Sequence, residues 1–100
     1  MNYGKTIKRF RVERLGLTQI QFSESVGISQ TYLSQLEGGK KKPSTELLER
    51  IAEFVLVPMP VLLWSCISEK DVTRNNRIEA FRIVKPALDK MIESFFKPNP

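Results

Sequence analysis

Histidine is absent from this 100-residue chain and cysteine occurs once, at Cys66. The commonest metal ligand and general base is therefore missing, and a lone cysteine supports neither an intrachain disulfide nor a structural zinc set. Acidic residues are scattered rather than paired, and no glycine-rich phosphate loop or nucleophile set stands at a recognisable spacing, so an enzyme is not expected. No cofactor or metal is expected either. The strongest apolar stretch, Phe54 to Trp64, is short and broken by Pro58 and Pro60. No long apolar run follows the basic residues near the start, so neither a membrane span nor a secretory signal is indicated. One thiol suits a reducing cytoplasm, the expected location.

An apolar share of 41% is enough for one small core with an appendage. Sixteen Lys and Arg against eleven Asp and Glu give a net charge of +5 and a pI near 9.6. The excess lies in the first half, where nine basic residues face five acids, against seven and six in the second. A basic excess of this size permits nucleic-acid binding without proving it.

The apolar pattern has helical rather than strand spacing. Ile7, Phe10 and Leu15, interleaved with Lys8, Arg9, Arg11, Glu13 and Arg14, predict an amphipathic helix over Thr6 to Leu15 that stops before Gly16. Thr18 is placed to cap a second helix. Phe22 and Val26 would face inward, Ile20 would add a contact near its start, and Gln21, Glu24 and Ser25 would face water. Gly27 stands where the chain must turn sharply, a position that often requires positive φ. Ser29 can cap a third helix with Leu33 and Leu36 inward and Gln30, Thr31, Ser34 and Gln35 largely outward. After the loop Gly38 to Pro43, Ser44 or Thr45 can cap a fourth helix carrying Leu47, Leu48, Ile51, Ala52 and Val55. Pro60 suits the first turn of a short fifth helix with Leu62, Leu63 and Trp64. With no hairpin signal and no internal repeat, the expected class is all-α.

Residues 1–66 and 67–100 read as two parts. Beyond a polar connector, in which Ser68 followed by Asp71 could start a helix, Phe81, Val84, Leu88, Met91 and Phe95 recur at spacings of three, four, three and four. Ile78 and Ile92 broaden the stripe, and a helix over about 73–96 would align these side chains. The stripe could fold back on the first part or pair with a second copy. Dimerisation is slightly favoured, because the connector permits projection and a reader of palindromic DNA needs a symmetric partner. Pro86 lacks the amide that would bond Arg82, so it should kink this helix or begin a second one.

The third helix carries the chemistry. A glutamine amide both donates and accepts, which matches the major-groove edge of adenine. Gln30, Thr31 and Gln35, at positions one, two and six after the Ser29 cap, put two amides and a hydroxyl on one face as candidate base readers, and Ser34 and Tyr32 could reach a base edge or a phosphate. Tyr32 could instead lean on the first helix. Gln19, in the first turn of the second helix, sits where free amides and the helix dipole favour an anion. Lys40, Lys41 and Lys42 could grip the DNA backbone, although alone such a run is more often a solvated loop. Glu37 would repel phosphates unless neutralised, which suggests a structural ion pair with Arg11 or Arg14.

The pattern Gly16-Leu17-Thr18-Gln19, Phe22-Ser23, Gly27-Ile28-Ser29, Leu33, Leu36-Glu37, Gly39-Lys40, Pro43-Ser44, Leu48, Ile51-Ala52, Val55 and Val57 resembles the lambda-repressor-like, Xre-type helix-turn-helix family over residues 5 to 64. The resemblance implies a five-helix DNA-binding domain, with the second and third helices as the helix-turn-helix and the third in the major groove. It implies that Gln19 clamps a phosphate, that Gln30, Thr31 and Gln35 read bases, that Tyr32 contacts the backbone or flanks it, and that Lys40 and Lys42 follow the backbone of double-stranded DNA. Three departures stand out. Gly38 replaces a polar or basic side chain, the first helix is one residue longer between Ile7 and Gly16, and Leu56 stands where glycine usually ends the fourth helix. The expected function is a dimeric transcriptional regulator, a repressor of an inverted-repeat operator. The alternatives are an antitoxin whose tail binds a toxin, and a protein-binding adaptor.

Overall fold

The computed structural model describes residues 1–72 and 75–98. Among these the architecture is all-helical: α1 (Tyr3–Arg9) running on as a π-helical segment (Phe10–Leu15), α2 (Gln19–Val26), α3 (Gln30–Glu37), α4 (Thr45–Val55), α5 (Met59–Cys66), and α6 (Asn75–Ile92). Short 3-10 turns, Glu69–Asp71 and Glu93–Phe96, flank α6. Thr73 and Arg74, with the expected helix start near 73, lie outside the described residues.

Local chemistry sets the helix ends. Thr18 Oγ1 accepts from the Gln21 amide at 3.1 Å while Gln21 Oε1 accepts from the Thr18 amide at 3.0 Å, a reciprocal capping box. Ser29 caps α3 through the Tyr32 amide at 3.0 Å, and Ser44 caps α4 through the Leu47 amide at 3.1 Å. Gly27 turns the chain between α2 and α3 at φ 76°, a left-handed conformation that a Cβ would penalise. Ser68 and Asp71 cap the 3-10 turn rather than a full helix.

The extra residue of the first helix is absorbed as the π-helical stretch Phe10–Leu15, where a wider turn accommodates it. Leu56 takes the left-handed conformation expected of glycine there, at φ 59°, and its side chain is 64% exposed. Ile20 departs from its expected inward contact: at 59% exposure it faces solvent, because the Thr18 cap orients α2 with Phe22 and Val26 inward.

One core unites the helices. Ile7 and Phe10 join Phe22 and Val26 of α2, Leu33 and Leu36 of α3, the five buried apolar residues of α4, Val57, and Leu62 of α5. Phe22 meets Phe54 edge-on with ring centroids 5.7 Å apart. Phe96 belongs to the same core, 5% exposed and stacked on Phe10 at 4.3 Å. Gly4 lets α1 approach the end of α3 so closely that a Cβ would lie 2.3 Å from the Leu36 carbonyl oxygen.

The C-terminal segment lies against the rest of the chain. Phe81 packs on Trp64 at 5.8 Å, Trp64 Nε1 donates to Asp89 at 3.1 Å, and Arg9 bonds Glu93. In the expected dimer stripe, Phe81 and Leu88 are half-buried, Phe95 packs beside the core, Val84 is exposed, and Met91 is 72% exposed. α6 continues through Pro86 as one helix. No described helix is long and apolar enough to cross a membrane.

Candidate nucleic-acid interface

The α2 and α3 caps place Gln19 and Gln30 at the first positions of their helices, and their side chains meet. Gln30 Nε2 donates to Gln19 Oε1 at 2.9 Å, and Gln19 Nε2 donates to Glu37 Oε1 at 3.1 Å. Glu37 accepts from Arg11 at both carboxylate oxygens, from Nε at 2.7 Å and Nη2 at 2.9 Å, and Arg11 Nη1 donates to the Leu17 carbonyl at 2.8 Å. The Arg11 and Glu37 side chains are only 9% and 4% exposed. A bidentate pair this well enclosed has a fixed geometry, which passes through Gln19 to Gln30.

The chain of bonds leaves part of the Gln30 amide free. Gln30 is exposed; one Nε2 hydrogen is engaged by Gln19, while its second hydrogen and Oε1 make no other hydrogen bond among the described residues. Thr31 and Ser34 are exposed beside it, and Gln35 is half-buried on the same helix. Tyr32 is half-buried with its ring packed beside the core, so this side chain has a structural contact of its own.

Arg14, the other candidate partner of Glu37, does not reach it. Its guanidinium donates to the carbonyls of Val55 (2.6 Å), Leu56 (3.2 Å), Phe95 (3.0 Å) and Lys97 (3.0 Å). The π-helical stretch separates the two arginines, giving Arg11 to α3 and Arg14 to the end of α4 and the C-terminal turn. The sequence offered no carboxylate signal for this role, because all four acceptors are backbone.

Lys40, Lys41 and Lys42 are exposed in the loop after α3, and their chain is held by the Lys40 and Lys41 amides, which donate to the Gln35 carbonyl. Lys42 Nζ lies 5.9 Å from the Tyr3 ring centroid, near the start of α1. The α2 first turn, the outward side of α3 and this loop thus offer free amides, paired donor and acceptor groups, and cations. That combination can bind phosphate oxygens and base edges; it holds no group poised for bond cleavage.

A family model described as Helix-turn-helix matches residues 7–62. The chain belongs to this family, in its Xre, lambda-repressor-like form, a non-catalytic class of DNA-binding transcriptional regulators. It is 41% identical over 59 residues to the ImmF control region 10 kDa protein of Bacillus phage phi105, covering 59% of this chain and 64% of that protein. Against the Transcriptional regulator ClgR of Mycobacterium tuberculosis it is 42% identical over 60 residues, covering 60% and 53%. The Immunity repressor protein of phage phi105 is 31% identical over 81 residues, which is 79% of this chain and 56% of that protein. An alignment of that extent passes residue 66 and reaches α6. The chain thus spans between about half and two thirds of these relatives. No solved structure matches it.

Proposed function

We infer that this chain is a sequence-specific DNA-binding regulator that acts in the cytoplasm as a homodimer, repressing transcription by occupying an inverted-repeat operator. The observation that carries the reading is the outward amide of Gln30, held by Gln19, Glu37 and Arg11 at the exposed side of α3. Preorganised amides lose little freedom on contact and discriminate by paired hydrogen bonds, as a base reader must. Gln30, Thr31, Ser34 and Gln35 read base edges, while Gln19, Tyr32 and the Lys40 to Lys42 loop contact the backbone. Likeness to an immunity repressor past residue 66 favours repression.

The test is enrichment of duplexes from a random DNA library by the purified chain at near-physiological salt. A recovered inverted repeat supplies the operator and supports a dimeric reader. Absence of any enrichment overturns the reading and turns attention to a toxin or another protein as the partner.

A further inference from the structure

Helix α6 has a second apolar line besides the one facing the chain. Ile78, Phe81, Leu88 and Ile92 form the inward side, all half-buried. Ala80, Ile83, Ala87 and Met91, spaced three, four and four residues apart, run along the outward side. Ile83 is 77% exposed and Met91 72%, and Val84 at 44% widens the surface on one flank. Single exposed apolar residues are ordinary, but a continuous line of them marks a contact surface.

We propose that a second copy of the chain covers this line, the two α6 helices packing antiparallel about a twofold axis near residue 85. The pattern itself selects that occupant. About this centre Ile83 of one copy falls opposite Ala87 of the other, and Ala80 falls opposite the Lys90-Met91 pair, so large groups meet small ones. Glu79 and Lys90 lie on the same flank of the line at nearly equal distances from the centre. Both are exposed, and neither is ion-paired among the described residues.

Antiparallel helices bring like flank to like flank, so Glu79 of each copy meets Lys90 of the other, and the symmetry makes two such pairs. In a parallel pair the flanks cross, and Glu79 would face the side that carries Val84 and Met91. The seam from Glu79 to Lys90 is about 16 Å of helix, short enough for a dimer that a symmetric operator strengthens by linkage. The inference rests on the dimeric reading above and names the surface that makes the dimer. It shares Val84 and Met91 with the expected stripe and leaves out Phe81, Leu88 and Phe95, of which Phe81 packs on Trp64, Leu88 is half-buried and Phe95 lies beside the core.

Sedimentation equilibrium of the full chain tests it, with circular-dichroism melting to establish folding. The wild type dimerises. Ile83→Glu, at an exposed position, weakens association at least about thirtyfold while leaving the melt intact. Glu79→Lys sets like charges together and weakens association roughly tenfold, and adding Lys90→Glu restores it to within about threefold of wild type. A monomeric wild type, a dimer indifferent to Ile83→Glu, or a charge reversal without recovery overturns the seam. Should Ile83→Glu unfold, the charge-swapped pair still decides.

The library enrichment run on the same samples separates the two readings. An operator recovered with no α6 dependence of assembly sinks the seam alone. A dimer with the full rescue pattern but no enriched DNA sinks the regulatory reading and leaves the seam standing.

Discussion

Gln30 is exposed and held by one side-chain hydrogen bond to Gln19. Replacing it with alanine removes an outward amide and leaves the buried Arg11 and Glu37 pair whole. Gln30→Ala is expected to weaken operator binding by about 1–3 kcal/mol and blur preference at one position per half-site, with unfolding changed by less than about 0.5 kcal/mol. Quantitative binding to operators varied one base at a time checks this; equal loss on every duplex would assign Gln30 to the backbone instead. Leu56 makes the opposite kind of prediction. It holds a left-handed conformation at φ 59° while its side chain is largely in solvent. Leu56→Gly should stabilise the chain by about 1 kcal/mol, read as a rise of several degrees in the thermal midpoint. An unchanged or lower midpoint would show that its partial burial outweighs the strain. The outward residues of α3 were legible in the sequence because periodicity is local, and the departure at Leu56 because the family resemblance implies a glycine there. The link from Gln30 to Gln19 was not, since it joins the starts of two helices whose relative placement depends on the packed core.

At the scale of elements, the one-residue excess in the first helix was visible, but its consequence was not. Inside the π-helical stretch the wider turn spreads side chains three residues apart, so Arg11 and Arg14 leave the same element toward different neighbours. Arg14 then joins two chain ends, the C-terminus of α4 and the turn after α6. A cation at a helix C-terminus is favoured by the dipole, and its removal here strands carbonyls that are partly enclosed. Arg14→Ala is expected to cost about 3 kcal/mol in urea denaturation. Arg14→Lys should recover only part of that loss, because an ammonium lacks the planar fork that reaches both chain ends. A full recovery by lysine would mean that charge alone, without the fork, satisfies this site. Pro86 shows another limit of local reading. Its missing amide cannot bond the Arg82 carbonyl, but Arg82 is exposed, where water can supply a partner, and the helix continues through Pro86.

At the scale of the molecule, composition divides the chain near residue 66, yet the core crosses that division. Phe96 stacks on Phe10, Arg9 lies 3.9 Å from the centre of the Phe96 ring, and Arg14 bonds the Phe95 and Lys97 carbonyls. The spacing of the tail stripe pointed to Phe95 and passed over Phe96, because the last turn tightens to a 3-10 helix and shifts the inward position by one. Long-range docking of this kind leaves no periodic mark on the first sixty residues. It has a measurable consequence for any attempt to isolate the DNA-binding part. A chain ending at Cys66 would uncover the Phe10 ring and leave Arg14 with two of its four acceptors. Losing a buried phenyl alone costs about 3–5 kcal/mol, a large share of the 5–15 kcal/mol typical of a small domain. The truncated chain should therefore unfold at markedly lower urea than the full one, and Phe96→Ala in the full chain should reproduce most of the difference. If the two lengths unfold together, the C-terminal segment is an appendage whose docking contributes nothing to the fold. If they differ as expected, the segment proposed to carry the dimer seam also holds Phe10 and Arg14 in place, and the proposed assembly and DNA reading would share one core.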